Sequence, residues 1–182
     1  MKRILYILLL IMMITACSDS ANKKKVTNVK DSVDYSKQPD QIAHNITINF
    51  VDSVYNISIL KAKRARVFTE RQETILDSNI YIEIFSRLTG KRISTLTADS
   101  IKINDKTHDM VALGRVVVIA DSSQTRLETE KLQWLNDRRK IHTMSKIKIQ
   151  SPERLIYGSG FESDIDLKNY VIYKVSGEEY RK

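Results

Sequence analysis

The chain has 182 residues, a formal net charge of +8 and a single cysteine. That length suits one domain of ordinary size. A lone cysteine excludes an internal disulfide, so the fold must rest on a buried apolar core.

Lys2 and Arg3 open the chain, and Ile4 to Ile14 is almost entirely Ile, Leu and Met. Thr15 and Ala16 are small, and Cys17 follows. A charged start, an apolar run and a small-residue cleavage site form the layout of a secretory signal. The run is far shorter than the roughly 20 residues that a spanning helix needs. Ile14-Thr15-Ala16-Cys17 resembles the lipobox of bacterial lipoproteins. That resemblance implies cleavage before Cys17 and lipidation of its sulfur. One acyl chain anchors only marginally, and the two or three implied here would hold firmly. Losing Lys2 and Arg3, in a leader without acids, lowers the charge to +6. A basic balance favours acidic partners. Export argues against nucleic acid, and no nucleic-acid motif is visible. Anionic lipid headgroups and the phosphates of lipopolysaccharide fit better, although an excess of Lys also serves plain solubility.

Residues 18 to 44 are polar, with Lys23 to Lys25, Asp31, Asp34 and Pro39, and few large apolar side chains. Such a stretch cannot offset its ordering entropy by burial. It is expected to be a flexible tether, reaching roughly 30 Å as a random coil. The expected division is a signal peptide over 1–16, a lipidated linker over 17–44 and one folded domain over 45–182.

From Ile46 onward, apolar residues alternate with polar ones, the signature of half-buried strands. Ile46, Ile48 and Phe50 begin the series, and Tyr55, Ile57 and Ile59 follow. Ile80, Ile82 and Ile84 share a face, as do Ile101 and Ile103 after Ala98. Val116 and Val118 lie inside a solid apolar run, Ile147 and Ile149 alternate with lysines, and Val171, Tyr173 and Val175 close the series. Turn residues separate these stretches at Val51-Asp52-Ser53, Thr89-Gly90-Lys91, Asn104-Asp105-Lys106, Asp121-Ser122-Ser123 and Asn136-Asp137-Arg138. Short, even spacing predicts consecutive antiparallel strands joined by hairpins, without crossover helices.

Thr125 to Leu135 is ambiguous. Leu127, Lys131, Trp134 and Leu135 have helical spacing, and Thr125 with Glu128 could form a capping box. A weak repeat of about 30 residues reads the same stretch as a strand. In that repeat Thr97 to Ile101, Thr129 to Leu132 and Gly158 to Asp164 each enter a pair of strands.

No catalytic constellation is visible. His44, His108 and His142 are far apart and lack metal-ligand spacing. There is no nucleophile elbow around any serine. Asp164 and Asp166 read as turn residues, since nothing apolar nearby would raise either pKa. Gly158-Ser159-Gly160 is too short for a phosphate loop and suits a bulge. The expectation is no enzyme, no metal and no cofactor.

Two features bear on function. A twisted sheet that folds over on itself has one inward face. Ile57, Ile59, Ile82, Ile84, Leu96, Ile101, Val116, Val118, Leu132, Trp134, Ile147, Ile149 and Phe161 are its expected apolar lining. They form either an ordinary core or a partly open groove that takes acyl chains. The last strand, Tyr170 to Gly177, is apolar with little after it to cover it. Val171, Tyr173 and Val175 would then mark an edge that docks a partner by strand addition.

Several stretches together resemble the LptC family. They are Leu96-Thr97-Ala98-Asp99, Gly114 to Val118, Leu127 to Trp134, Lys140 to Thr143, and Gly158 to Asp164 with Val175-Ser176-Gly177. The resemblance spans roughly residues 46 to 177 and lies in their order and spacing. It implies an all-β, boat-like antiparallel β-jellyroll, open along a hydrophobic interior. It implies a periplasmic component of lipopolysaccharide export. Such a protein receives lipopolysaccharide from an inner-membrane ABC transporter and passes it to a bridge protein of similar fold. It carries no catalytic residues. Many members are anchored by a transmembrane helix, whereas this chain resembles a lipid-anchored one on the periplasmic face of the inner membrane. Ser18 and Asp19 leave the choice between inner and outer membrane open. A contrasting reading is a structural or adhesive β lipoprotein that acts only as a scaffold.

Cys17→Ala is expected to move the protein from the membrane to the soluble fraction, or to mislocalise it, on fractionation of the cell envelope. Retention of the variant in the membrane at the wild-type level would refute lipid anchoring.

Overall fold

A computed structural model describes residues 38–52 and 55–180. The leader, Cys17 and most of the expected tether lie outside these residues. Nine strands follow one another: β1 (Gln41–Asp52), β2 (Tyr55–Phe68), β3 (Glu73–Phe85), β4 (Arg92–Asn104), β5 (Met110–Ala120), β6 (Arg126–Leu135), β7 (Lys140–Gln150), β8 (Arg154–Ser163) and β9 (Tyr170–Tyr180). They form one sheet in strict sequence order. Every neighbouring pair is antiparallel. The all-β class and the hairpin connectivity expected from the alternation are thus observed.

Three details differ from the sequence reading. β1 starts at Gln41, so the last residues of the expected tether are strand. Gln41 pairs with Val67 and Ala43 with Ala65. Their side chains are exposed, so backbone pairing orders them without any apolar alternation to announce it. A turn at Thr69–Gln72 splits what looked like an unpatterned gap, and β2 and β3 extend to it. The ambiguous stretch is strand β6. Leu127 and Leu132 are both buried, although an odd spacing should place them on opposite faces of a regular strand. A register shift between Thr129 and Gln133 reverses the phase, and the result imitates helical spacing.

That shift has counterparts in consecutive hairpins. The register breaks between Lys61 and Arg64, Asp77 and Ile80, Thr97 and Ser100, Leu113 and Val116, Thr129 and Gln133, and Thr143 and Lys146. Each break lies near the middle of its strand, so together they draw a line across the sheet. A bulge bends its strand and sharpens the local twist, and aligned bulges fold the whole sheet along a crease. Ser78 and Asn79 on β3, and Gly114 and Arg115 on β5, take positive φ there. Threonines replace hydrogen bonds that the broken ladder leaves open. Thr129 Oγ1 donates to the Lys146 carbonyl at 2.8 Å, and the Ser145 amide donates to Thr143 Oγ1 at 3.0 Å.

Gly114 carries the tightest constraint on the crease. Its φ is +73°, and a Cβ there would lie 2.5 Å from an Asp99 carboxylate oxygen. That carboxylate is held beside the backbone by Arg115, whose guanidinium donates to it at 2.5 Å. Gly90 also has positive φ, at +65°, yet a Cβ there meets nothing within 4 Å. Gly114→Ala is therefore expected to destabilise the fold by about 1–3 kcal/mol, and by more than Gly90→Ala. The midpoints of urea denaturation compare the two directly. Equal midpoints would show that the Asp99 approach imposes no constraint.

Candidate functional site: the inner face of the sheet

The inner face is built from rows of cross-strand partners. One row runs Ile48, Leu60, Ile82, Leu96, Val118, Leu127, Ile149 and Ile156, each paired to the next across eight strands. It ends at Glu178 on β9. A second row, on the other side of the crease, runs Ala65, Leu76, Ile101, Ala112 and Leu132. Phe161 on β8 pairs with Thr143 and Ile172. Residues from both sides of the crease form one apolar cluster. Leu60, Leu76, Val118, Leu127 and Phe161 are 0% exposed. A single sheet without helices bares one face to water unless it folds onto itself, and the crease supplies that cover.

Most expected lining residues are in this interior. Ile82, Leu96, Ile101, Val116, Val118, Leu132, Ile147, Ile149 and Phe161 are buried, and Ile84 and Trp134 are half-buried against them. Ile57 and Ile59 are not in it. Ile59 pairs with Asn49 and Glu83, in a row of polar residues on the outer face. Ile57 sits at the register shift beside Asn56 and outside the core cluster. Neighbouring apolar residues at Ile59 and Leu60 hide the phase, and Leu60 is the one that turns inward. Leu76, Leu127, Ile141 and Leu167 are core residues that the sequence reading missed. The first three lie on strands where the register shift or an unseen boundary obscures alternation.

The strands form one open sheet, as expected, and its inner face is largely buried. Its polar members are few. Ser94 and Ser163 are 0% and 1% exposed, and their hydroxyls lack a hydrogen-bond partner among the described residues. A cleft of about 750 Å³ instead lies on the outer side, lined by Arg115, Arg126, Glu128, Lys146, Lys148 and Tyr157. Much of its charge is paired internally. Arg126 donates to Glu128 at 2.6 Å, and this hydrogen bond, with Lys148 nearby, holds the Glu128 carboxyl below the usual carboxylate range.

Among the described residues both ends of the sheet are edges: β9 pairs only with β8, and Val171, Tyr173 and Val175 are each more than half exposed. The three histidines are scattered: His44 on β1, His108 in the β4–β5 turn and His142 on β7. Among the described residues, no group of three or more His, Cys, Asp or Glu is placed to hold a metal. No helix among them is long and apolar enough to cross a membrane.

A family model described as "Lipopolysaccharide-assembly, LptC-related" matches residues 5–179. No curated protein matches the chain. Among solved structures, the chain is similar to LptH from Pseudomonas aeruginosa, described as the LptA homologous periplasmic component of the conserved lipopolysaccharide transport device. The two are 10% identical, the match covers 76% of this chain and 85% of that one, and the TM-score is 0.47.

At the rim of the interior, Asp164 accepts from Lys140 Nζ at 2.7 Å and from Asn169 Nδ2 at 3.2 Å. The Lys140 hydrogen bond, outweighing desolvation, holds the Asp164 carboxyl below its ordinary value. A depressed carboxylate stabilises the fold above its unfolded pKa, and that stability is lost as pH falls through the folded value. Asp164→Asn should therefore show a smaller loss of urea-midpoint stability between neutral pH and the acid range than the wild type, whose carboxylate must be protonated there. Parallel pH profiles for the two proteins would refute the link.

Proposed function

From the premise that this chain belongs to the lipopolysaccharide-assembly, LptC-related family, we propose that it is a lipopolysaccharide-transfer protein whose inner face takes acyl chains. Family membership makes it a periplasmic component of lipopolysaccharide transport. The finer reading is that it receives lipopolysaccharide from an inner-membrane ABC transporter and hands it to a bridge protein of similar fold. Cys17 would anchor it by lipid to the periplasmic face of the inner membrane, with the residues between Cys17 and β1 as tether.

The observation that carries this reading is the aliphatic row across eight strands. A globular core needs apolar volume but no particular direction. An acyl chain needs a continuous apolar track, and this row is one, uninterrupted from Ile48 to Ile156. The exposed edge at Val171, Tyr173 and Val175 supports hand-over, because an open strand edge can take a second sheet by strand addition. The transporter subunits would sit toward the other edge, at β1.

Photo-reactive side chains introduced at Ile147 or Trp134, inside the row's cover, should cross-link to lipopolysaccharide in cells. The same group at Lys63, on the outer face, should not. Capture at the outer position alone would sink the transfer reading and favour a scaffold that binds partners at its edges.

A further inference from the structure

One ion pair crosses the mouth of the interior. Among the described residues, the other side-chain ion pairs join a strand or turn to a partner no more than two strands away. Arg139, in the β6–β7 turn, instead meets Asp52 at the end of β1, at 3.6 Å. Asp52 is also paired with Arg87 of the β3–β4 turn. In the sheet order, β1 and the β6–β7 hairpin are far apart. Among the strands, Cα atoms approach within 8 Å only between consecutive ones, whereas this contact joins side chains across the fold.

Several of the partly buried apolar residues of the inner face flank the same place. Phe50 precedes Asp52 on β1, and Ile84 precedes Arg87 on β3. On the far side Met110 and Ile141 pair with Trp134, in the hairpin that carries Arg139. Phe50, Ile84, Met110 and Trp134 are all partly buried against the core. The seam thus combines incomplete apolar cover with a single carboxylate shared by two arginines.

The geometry points to this seam as the port of the interior, with Asp52, Arg87 and Arg139 as its clasp and a phosphate-bearing amphiphile as the molecule that opens it. A phosphate offers two guanidinium groups more charge and more acceptor oxygens than one carboxylate does. It would take the arginines from Asp52 and deliver its chains to Phe50 and Trp134, where the interior is thinnest. The clasp is suited to repeated opening. Arg139 and Asp52 side chains are 56% and 40% exposed, and exposed pairs are screened and weak. This inference rests on the reading of the inner face as an acyl-chain site.

Trp134 is the only tryptophan and reports chain entry directly. The test uses the full-length protein in stopped flow, with dibromostearoyl lysophosphatidic acid and the matching neutral monoacylglycerol as probes, since bromine quenches indole on contact. The wild type should be quenched faster by the phosphate-bearing probe. Asp52→Asn should accelerate quenching by the neutral probe about two- to fivefold, the range set by loss of an exposed ion pair. Arg139→Gln should accelerate the neutral probe similarly and remove most of the preference for phosphate. The double variant Asp52→Arg with Arg139→Asp should restore slow entry of the neutral probe. Unchanged neutral-probe rates in both single variants, with quenching intact, would overturn the clasp and leave the acyl-chain reading standing. No quenching by either probe in any variant that keeps a β-sheet circular dichroism spectrum would overturn the acyl-chain reading itself.

Discussion

The line of register shifts across β2 to β7 is the constraint on which the rest of the fold depends. Nine antiparallel strands in sequence order form a sheet with two faces and two edges, and no helix among the described residues covers either face. Without the crease, Leu60, Leu76, Val118, Leu127 and Phe161 would each meet water on one side. Burying a side chain of that size is worth about 1.5–3 kcal/mol, so a flat version of this sheet would lose most of its driving force. Bulges bend the strands in step, and the sheet becomes its own cover. Gly114, Ser78 and Asn79 supply backbone conformations that the bend requires. Thr129 and Thr143 make hydrogen bonds to backbone at positions where the ladder is interrupted.

The same device explains what the sequence revealed and what it concealed. Strand class, hairpin order and most inward residues follow from period-two alternation, and Ile82, Leu96, Val118 and Ile149 are where that pattern puts them. Alternation is a local signal, and a bulge inverts it without leaving an obvious mark. Leu127 and Leu132 are both inward across an odd spacing, which reads as a helix until the break between them is seen. Ile57 and Ile59 have a clean alternation of the wrong phase, because Leu60 next to them takes the inward place. Gln41 to His44 have no apolar pattern and are held by backbone pairing alone.

Charge is distributed to match the two faces. The outer face carries cross-strand pairs such as Arg66 with Asp77, Lys102 with Glu73, and Lys148 with Glu128. Each contributes little singly, since exposed pairs are typically worth 0–1 kcal/mol. Their effect is to keep that face solvated and to fix register, so the sheet can present only one face to its own interior. Asp52 differs in kind. Its two arginine partners come from separate turns, and one of them lies on the far side of the fold.

A buried inner face and an acyl-chain function are compatible on energetic grounds. Opening to water would uncover several side chains of the row at about 25 cal/mol per Å² of apolar surface, which keeps the empty protein closed. Opening onto an acyl chain exchanges one apolar neighbour for another, so the transfer cost nearly cancels. What remains is the polar seam and the lost freedom of the ordered chain. A weak, exposed clasp is then the suitable closure, because a buried ion pair would add a desolvation cost of several kcal/mol per ion to every cycle. Under the proposed function, the row from Ile48 to Ile156 would serve both states: it would pack on itself when empty and supply the same apolar contacts to a chain when filled.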